Sequence, residues 1–330
     1  MNPKIITLGE IMMRLTPESN QRFTQAASFG AVYGGAEANV AVSLAEWGFD
    51  VSHLTVLPDN DLGKAVIKSL RKSGVKTDLI RTQAGRLGLY FLEVGAMQRA
   101  SKIIYDRADS AFANLDPDQF DFEEIFKGVD WFHWTGITPA ISENAYQLML
   151  KAIKAAYKQG VKISADINYR RNLWQYGRNP LEAMPELMQY STLMVAGETD
   201  LENCAGIAAN DFQSACVKTK EKFPKIKYIT TTIRNSISAT HNQLEGILWD
   251  GEILRSKNYD MPGIVDRIGG GDAYIAGLIY GLNYFEPQKA LEFAIAASVL
   301  KHSIHGDANE ITVEEALMLV EDKNVGKLLR

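Results

Sequence analysis

The stretch "DRIGGGDAYIAG", residues 266–277, decides how this chain is read. Three glycines run into an aspartate, and the residues after it have the composition of a buried helix. Glycine inside a helix costs about 1 kcal/mol against alanine, so Gly269, Gly270 and Gly271 belong at a helix start. There the first N–H groups have no helical partner, and the positive end of the helix dipole stands behind them. Without Cβ atoms in the way, an anion can reach that backbone closely. Asp272 falls in the first turn, where the dipole keeps a carboxylate ionised and able to take a proton. A phosphate cradle beside a base is what phosphoryl transfer to a hydroxyl requires. Taken alone, the string also suits a capped helix that binds nothing. It is not a Walker A loop, and Tyr274 breaks G-x-G-x-x-G.

A second glycine stretch, "YGGAEANVAVSLAEWG" (33–48), comes after a strand-like segment and opens another helical pattern. Around these two, short β-rich runs alternate with helical ones. Residues 4–9, 51–57, 131–136, 161–167, 192–196 and 227–233 read as buried strands. Residues 36–48, 59–74 and 142–160 read as helices. The first ends in Gly48, the second opens on Asp59 and closes on Gly74, and the third opens on Ser142. This alternation predicts an α/β fold: a Rossmann-like α/β/α sandwich on a mostly parallel sheet. Residues 11–34 and 86–108 break the pattern and are expected to form a small β-sheet lid on a single domain spanning 1–330. Ligands of such folds bind outside the carboxyl ends of the parallel strands.

The bulk properties narrow the partners. The 330 residues are 46% hydrophobic and 23% charged, with a net charge of -5. That balance gives no electrostatic reason for nucleic acid or an anionic membrane as partner. The lysines at 218, 220, 222, 225 and 227 are interleaved with Glu221 and apolar residues, as on a solvated face. Two cysteines, Cys204 and Cys216, in a chain of this length fit a reducing cytoplasm rather than a disulfide scaffold. The first residues read as a strand rather than a signal peptide, and no run approaches the roughly 20 apolar residues of a membrane span.

Together the glycine stretches resemble the signatures of the ribokinase-like (PfkB-type) sugar kinases. Gly34, Gly35, Asn39 and Ala41 match G-G-x-x-x-N-x-A, and Asp266, Gly269, Gly271 and Asp272 match D-x-x-G-x-G-D. The resemblance implies ATP beside the C-terminal half, with Mg2+, and a sugar under the lid. It makes Asp272 the base, and the N–H groups of Gly269 to Gly271 the anion hole. Asp266 would help to organise metal and phosphate. Thr232, Arg234 and Ala297 would contact the nucleotide. A monovalent cation is a further possible cofactor. Arg267 and Ile268 stand where small hydroxyl residues are frequent; Arg267 either reaches a phosphate or pairs with Asp266, and pairing is the expectation. The family's N-x-x-E segment corresponds to "AGETD", which leaves Glu198 and Asp200 as weak metal candidates. His302 and His305 have no evident third ligand and are read as structural or nucleotide-adjacent.

The positive charges bear on the acceptor. A sugar acid needs a cation for its carboxylate, and arginine supplies a planar, bidentate one. Arg107 closes the lid hairpin and Arg170 comes just after a core strand. With "GEIMMRLTP" and "FHWTGITPAIS", these stretches are similar to the 2-keto-3-deoxygluconate kinases of the family. That similarity implies a substrate site of Gly34, Gly35, Asn39, Tyr90, Tyr105, Arg107, Arg170 and Asp307, and transfer to the C6 hydroxyl. A fructokinase-like enzyme, or a regulator that binds without turnover, are the alternatives. The apolar lid face also suggests a homodimer, or a higher assembly, since an uncovered sheet edge is a liability.

Overall fold

The computed structural model describes residues 2–323. Its strands are β1 (Lys4–Leu8), β2 (Met12–Pro17), β3 (Phe29–Gly34), β4 (Asp50–Pro58), β5 (Ile80–Gln83), β6 (Gly88–Glu93), β7 (Lys102–Asp106), β8 (Trp131–Thr135), β9 (Lys162–Asp166), β10 (Leu193–Val195), β11 (Tyr228–Ser238), β12 (His241–Trp249), β13 (Ile253–Arg255) and β14 (Tyr259–Pro262). Its helices are α1 (Ala36–Glu46), α2 (Asp61–Lys72), α3 (Phe122–Ile125), α4 (Glu143–Lys158), α5 (Pro180–Met188), α6 (Glu198–Ala205), α7 (Phe212–Lys222), α8 (Gly270–Tyr284), α9 (Pro287–Lys301) and α10 (Val313–Val320).

The large sheet runs β13-β12-β11-β10-β9-β8-β1-β4-β5, and β14 also pairs with β12. From β11 to β5 every neighbouring pair is parallel; β12, β13 and β14 are antiparallel additions. Side chains alternate between two apolar layers, as the pleat requires. Ile5 and Trp131 face the layer of α1, α2, α8 and α9, whereas Ile6 and Phe132 face that of α3 to α7. All six strands expected from the sequence are present, and the helices differ only at their caps. Asn60, not Asp59, caps α2, because its side chain accepts from the N–H groups of Leu62 and Gly63. The sequence reading passed over the β12–β14 additions and the short helices α5 to α7.

Chain order reverses between β1 and β8. From β1 the sheet grows outward through β4 and β5, and from β8 it grows the other way through β9 and β10. Loops leaving the carboxyl ends of β1, β8 and β9 therefore splay apart there and leave a crevice. Over it lies the second sheet, β3-β2-β6-β7, formed by the two segments that break the alternation. The β6–β7 hairpin is antiparallel, as its alternating character predicts. Its turn touches the large sheet, where Ala239 N–H donates to Met97 O at 2.8 Å.

Candidate active site

The crevice holds a cavity of about 340 Å³, into which the N-termini of both α1 and α8 open. Gly269 caps α8 in the left-handed region, at φ +82°, a conformation that favours glycine. A Cβ there would also strike the carbonyl of Asp307. Gly270 begins the helix against the buried ring of His302, and Gly271 faces open space. The α8 N-terminus is thus bare backbone on its cavity side. Behind it lies Lys301, fully buried at the end of α9, whose Nζ donates to Ile304 O at 3.1 Å.

Asp272 stands one residue further into α8 and lines the cavity. Asn39 of α1 donates from Nδ2 to its Oδ2 at 2.7 Å. Burial pushes the Asp272 carboxyl up to about 7, the Asn39 bond opposes this, and the charges of Asp307 and Glu37 add to it. A carboxylate with that pKa is matched to proton abstraction near neutral pH.

The opposite wall comes from the small sheet. Arg14 of β2 is buried and donates to Asp266 Oδ2 at 2.6 Å and to Asp307 Oδ1 at 2.8 Å. Tyr90 of β6 donates to Asp307 Oδ2. Asp266 also accepts from the N–H groups of Ile268 (3.0 Å) and Gly306 (3.1 Å). This buried network ties the small sheet to the loops on either side of the α8 N-terminus. Gly34 is required by it, since a Cβ there would collide with the Asp307 carboxylate. Tyr105 lies at the rim with its ring centroid 6.0 Å from that of Tyr90.

Arg107 and Arg170 both line the cavity. Arg107 does not pair with its neighbours Asp106 and Asp109. It donates from Nε to Glu10 Oε2 at 2.8 Å, and Glu10 is further held by Ser110. Arg170 is exposed at the mouth, and its side chain bonds, among the described residues, only to Tyr169 O at 3.2 Å. Beside it, Asp166 ends β9 and accepts from Asn168 Nδ2 at 2.9 Å. Burial, then the charges of Asp200 and Asp272, push the Asp166 carboxyl up to about 8.

The pairing of Arg267 with Asp266 is not what the structure shows. Arg14 occupies that carboxylate, and Arg267 turns the other way, its Nη2 donating to Ser238 O at 2.6 Å and to Asn242 Oδ1 at 3.0 Å. Arg234 lines the cavity beside it, whereas Thr232 sits opposite Gly246 in the β11–β12 ladder and lines no described cavity. Ala297 is fully buried in α9, against α8. Asp200 caps α6, accepting from Gly197 N at 2.9 Å and Tyr169 N at 3.0 Å, and Glu198 is exposed. Among the described residues no group of three or more His, Cys, Asp or Glu is arranged to hold a metal. His302 Nδ1 is bonded to Ser298 O at 2.7 Å. None of the described helices is long and apolar enough to cross a membrane.

Glu10, Arg14, Glu37, Asp166 and Lys301 escaped the sequence reading as site residues. Two carried a signal. Glu37 and Lys301 are charges beside apolar runs, Glu37 in the first turn of α1 and Lys301 as the last residue of α9, and both are buried. Glu37 accepts from Thr135 Oγ1 at 2.8 Å and Thr138 Oγ1 at 2.7 Å, which locks α1 to the end of β8.

A doubly layered α/β fold with a carboxylate at a glycine-opened helix N-terminus, roofed by a second sheet, is the architecture of a class of phosphotransferases acting on sugars. Known proteins agree. The model of the pfkB family of carbohydrate kinases matches residues 2–313, and the chain belongs to that family. A 2-dehydro-3-deoxygalactonokinase of Haloferax volcanii is 29% identical over 327 residues, covering 99% of both chains. The crystal structure of a 2-dehydro-3-deoxygluconokinase from Thermotoga maritima superposes with a TM-score of 0.92 at 41% identity, over 97% of this chain and 100% of that one. A more distant likeness in fold, at TM-score 0.79 and 18% identity, is a putative ribokinase II from E. coli in complex with ATP and Mg2+; the match covers 97% of this chain and 99% of that one.

Proposed function

We propose that this chain transfers a phosphoryl group from Mg·ATP to the C6 hydroxyl of 2-keto-3-deoxygluconate or its galactonate epimer. One observation carries the reading. A single cavity presents guanidinium groups, Arg107 and Arg170, on the side of the small sheet and β9, and a base with a bare helix N-terminus, Asp272 and α8, on the other. A sugar acid has a carboxylate for the first and a primary hydroxyl for the second. The relatives named for such keto-acids point the same way.

In this reading Asp272 takes the hydroxyl proton, Asn39 aims its carboxylate, and the α8 N–H groups hold the charge on the transferred group. Mg·ATP supplies the phosphoryl group: the bond to the C6 oxygen forms as the bond to the β-phosphate bridging oxygen breaks, and ADP leaves. Gly271 fits this role, since nothing stands where its Cβ would be. Tyr90 and Asp307 shape the wall opposite α8, and Tyr105 closes on the sugar from the rim. The product would feed an aldolase that cleaves keto-acid phosphates, in the cytoplasm. Edge strand β7 is exposed along its whole length and carries Ile103, Ile104 and Tyr105. We assign it to a homodimer contact through the small sheet, testable by sedimentation.

The test of the activity is ADP release with Mg·ATP on 2-keto-3-deoxygluconate, its galactonate epimer, fructose, ribose and adenosine. Turnover confined to the keto-acids is expected. Preference for fructose would leave the kinase chemistry standing and remove the role given to Arg107 and Arg170.

A further inference from the structure

A second cavity, of about 470 Å³, opens beside the first, between the β6–β7 turn, the β11–β12 turn and the loop 264–268. The two cavities share Ile103, Arg267 and Ile268 in their linings. Arg267 therefore stands at the seam. Both hydrogens of its Nη2 are spent on Ser238 O and Asn242 Oδ1. Its Nε is buried without any partner. Its Nη1 makes no hydrogen bond among the described residues and, unlike Nε, is not buried, which leaves it as the donor open to a ligand.

Arg234 is its neighbour in charge as well as in space. Both guanidinium groups are held below the ordinary arginine range: Arg234 by burial and then by the charge of Arg267, and Arg267 by burial. Of the arginines lining the two cavities, Arg99 and Arg107 have a carboxylate within 4.0 Å among the described residues, whereas Arg234, Arg267 and the exposed Arg170 do not. Two like charges set side by side without a counterion are an arrangement that an anion completes. One carboxylate would leave a positive charge over, whereas a polyphosphate bears enough charge for both. Arg267 also lines the same cavity as Gly269 and Gly271 of the α8 N-terminus.

We propose that Arg234 and Arg267 form a polyphosphate clamp at the seam of the two cavities, with Arg267 as the pre-positioned half. This rests on the kinase reading above and extends it. The cationic groups divide into a carboxylate pair, Arg107 and Arg170, and a phosphate pair, Arg234 and Arg267. Ser238 O and Asn242 fix Arg267 before ligand arrives, so little of its side-chain freedom is lost on binding.

The probe is inorganic tripolyphosphate, titrated calorimetrically at constant ionic strength into the full chain and its variants. Arg267→Gln and Arg234→Gln are each expected to weaken binding about tenfold or more, while Arg170→Gln changes it by less than about twofold. The Arg234 side chain makes no hydrogen bond among the described residues, so its variant reports even if Arg267→Gln folds poorly; Arg267→Lys, which keeps charge but not the fork, should fall between. Pyruvate, a singly charged keto-acid, is the comparison ligand. If Arg267→Gln weakens pyruvate and spares tripolyphosphate, the clamp is overturned. It is overturned too if the parent binds tripolyphosphate no better than sulfate. Loss of tripolyphosphate binding in the variants, with no keto-acid turnover by the parent, keeps the clamp and removes only the substrate assignment.

Discussion

At the α8 side of the smaller cavity the electropositive surface is main chain; at the side of the small sheet it is guanidinium. The first is made by one short loop, residues 266–272, whose shape is set by glycine. The second is assembled from β2, β6, the loop after β7 and the loop after β9, which meet only when two sheets close on each other. Backbone charge needs no side-chain ordering and no counterion in the apo protein. Buried side-chain charge needs both: Arg14 takes them from Asp266 and Asp307 and Arg107 from Glu10, while Arg170 stays in solvent. In the proposed reading, the α8 side is chemistry written locally, and the other is specificity written in tertiary structure.

The sharpest way to break that contrast is to remove the base while leaving the cradle. Asp272→Asn is expected to lower kcat about 10²–10⁴-fold while ATP binding holds. Parental turnover would remove Asp272 as the base. In the parent, kcat/KM on the keto-acid should rise about tenfold per pH unit below about 7 and level off above it, because the base must be ionised. On the other side, Arg14→Met takes the hydrogen-bonded cation from two buried carboxylates. About 3–5 kcal/mol of stability should be lost in urea unfolding. A loss no larger than at a surface position would mean that water, not Arg14, satisfies Asp266 and Asp307.

The same contrast explains what could be read in advance. The strands, the helix starts and the glycine-opened N-terminus of α8 were legible because each depends on a few adjacent residues: apolar runs, cap residues, and glycines where a Cβ would collide. The small sheet was legible as a break in the alternation, but not its ion network. Arg14 and Asp266 are separated by 252 positions, and nothing in either neighbourhood says which of the carboxylates takes the guanidinium. Arg267 was misassigned for that reason: the adjacent Asp266 was the obvious partner, and a more distant arginine had already taken it. Ala297 is read from its stretch's resemblance to a nucleotide-contacting helix; its small, fully buried side chain packs α9 on α8.

Arg170 gives a smaller and more selective effect. It is exposed and unpaired, so Arg170→Ala should spare the fold and cost only ligand contacts. The KM for the keto-acid is expected to rise about 10- to 100-fold, with kcat and the KM for ATP little changed. An equal rise for ATP would erase the division between the two arginine pairs.

The smallest effect tests the aspartate beside it. An unfolded aspartate ionises near about 3.9, whereas Asp166 keeps its proton up to about 8. Between those values the folded protein holds a proton that the unfolded chain has lost, so stability falls as pH rises through that window. Asp200 and Asp272 drive the shift after burial, and Arg170 and Asn168 oppose it. Asp166→Asn carries no charge in either state, and its amide oxygen can still accept from Asn168. The variant should therefore melt a few degrees above the parent near about pH 8.5, with the gap closing toward about pH 4. A gap of the same size at both ends would assign the change to packing. A gap that closes would show that the wall beside Arg170 is neutral when the keto-acid arrives, leaving that guanidinium's charge for the substrate.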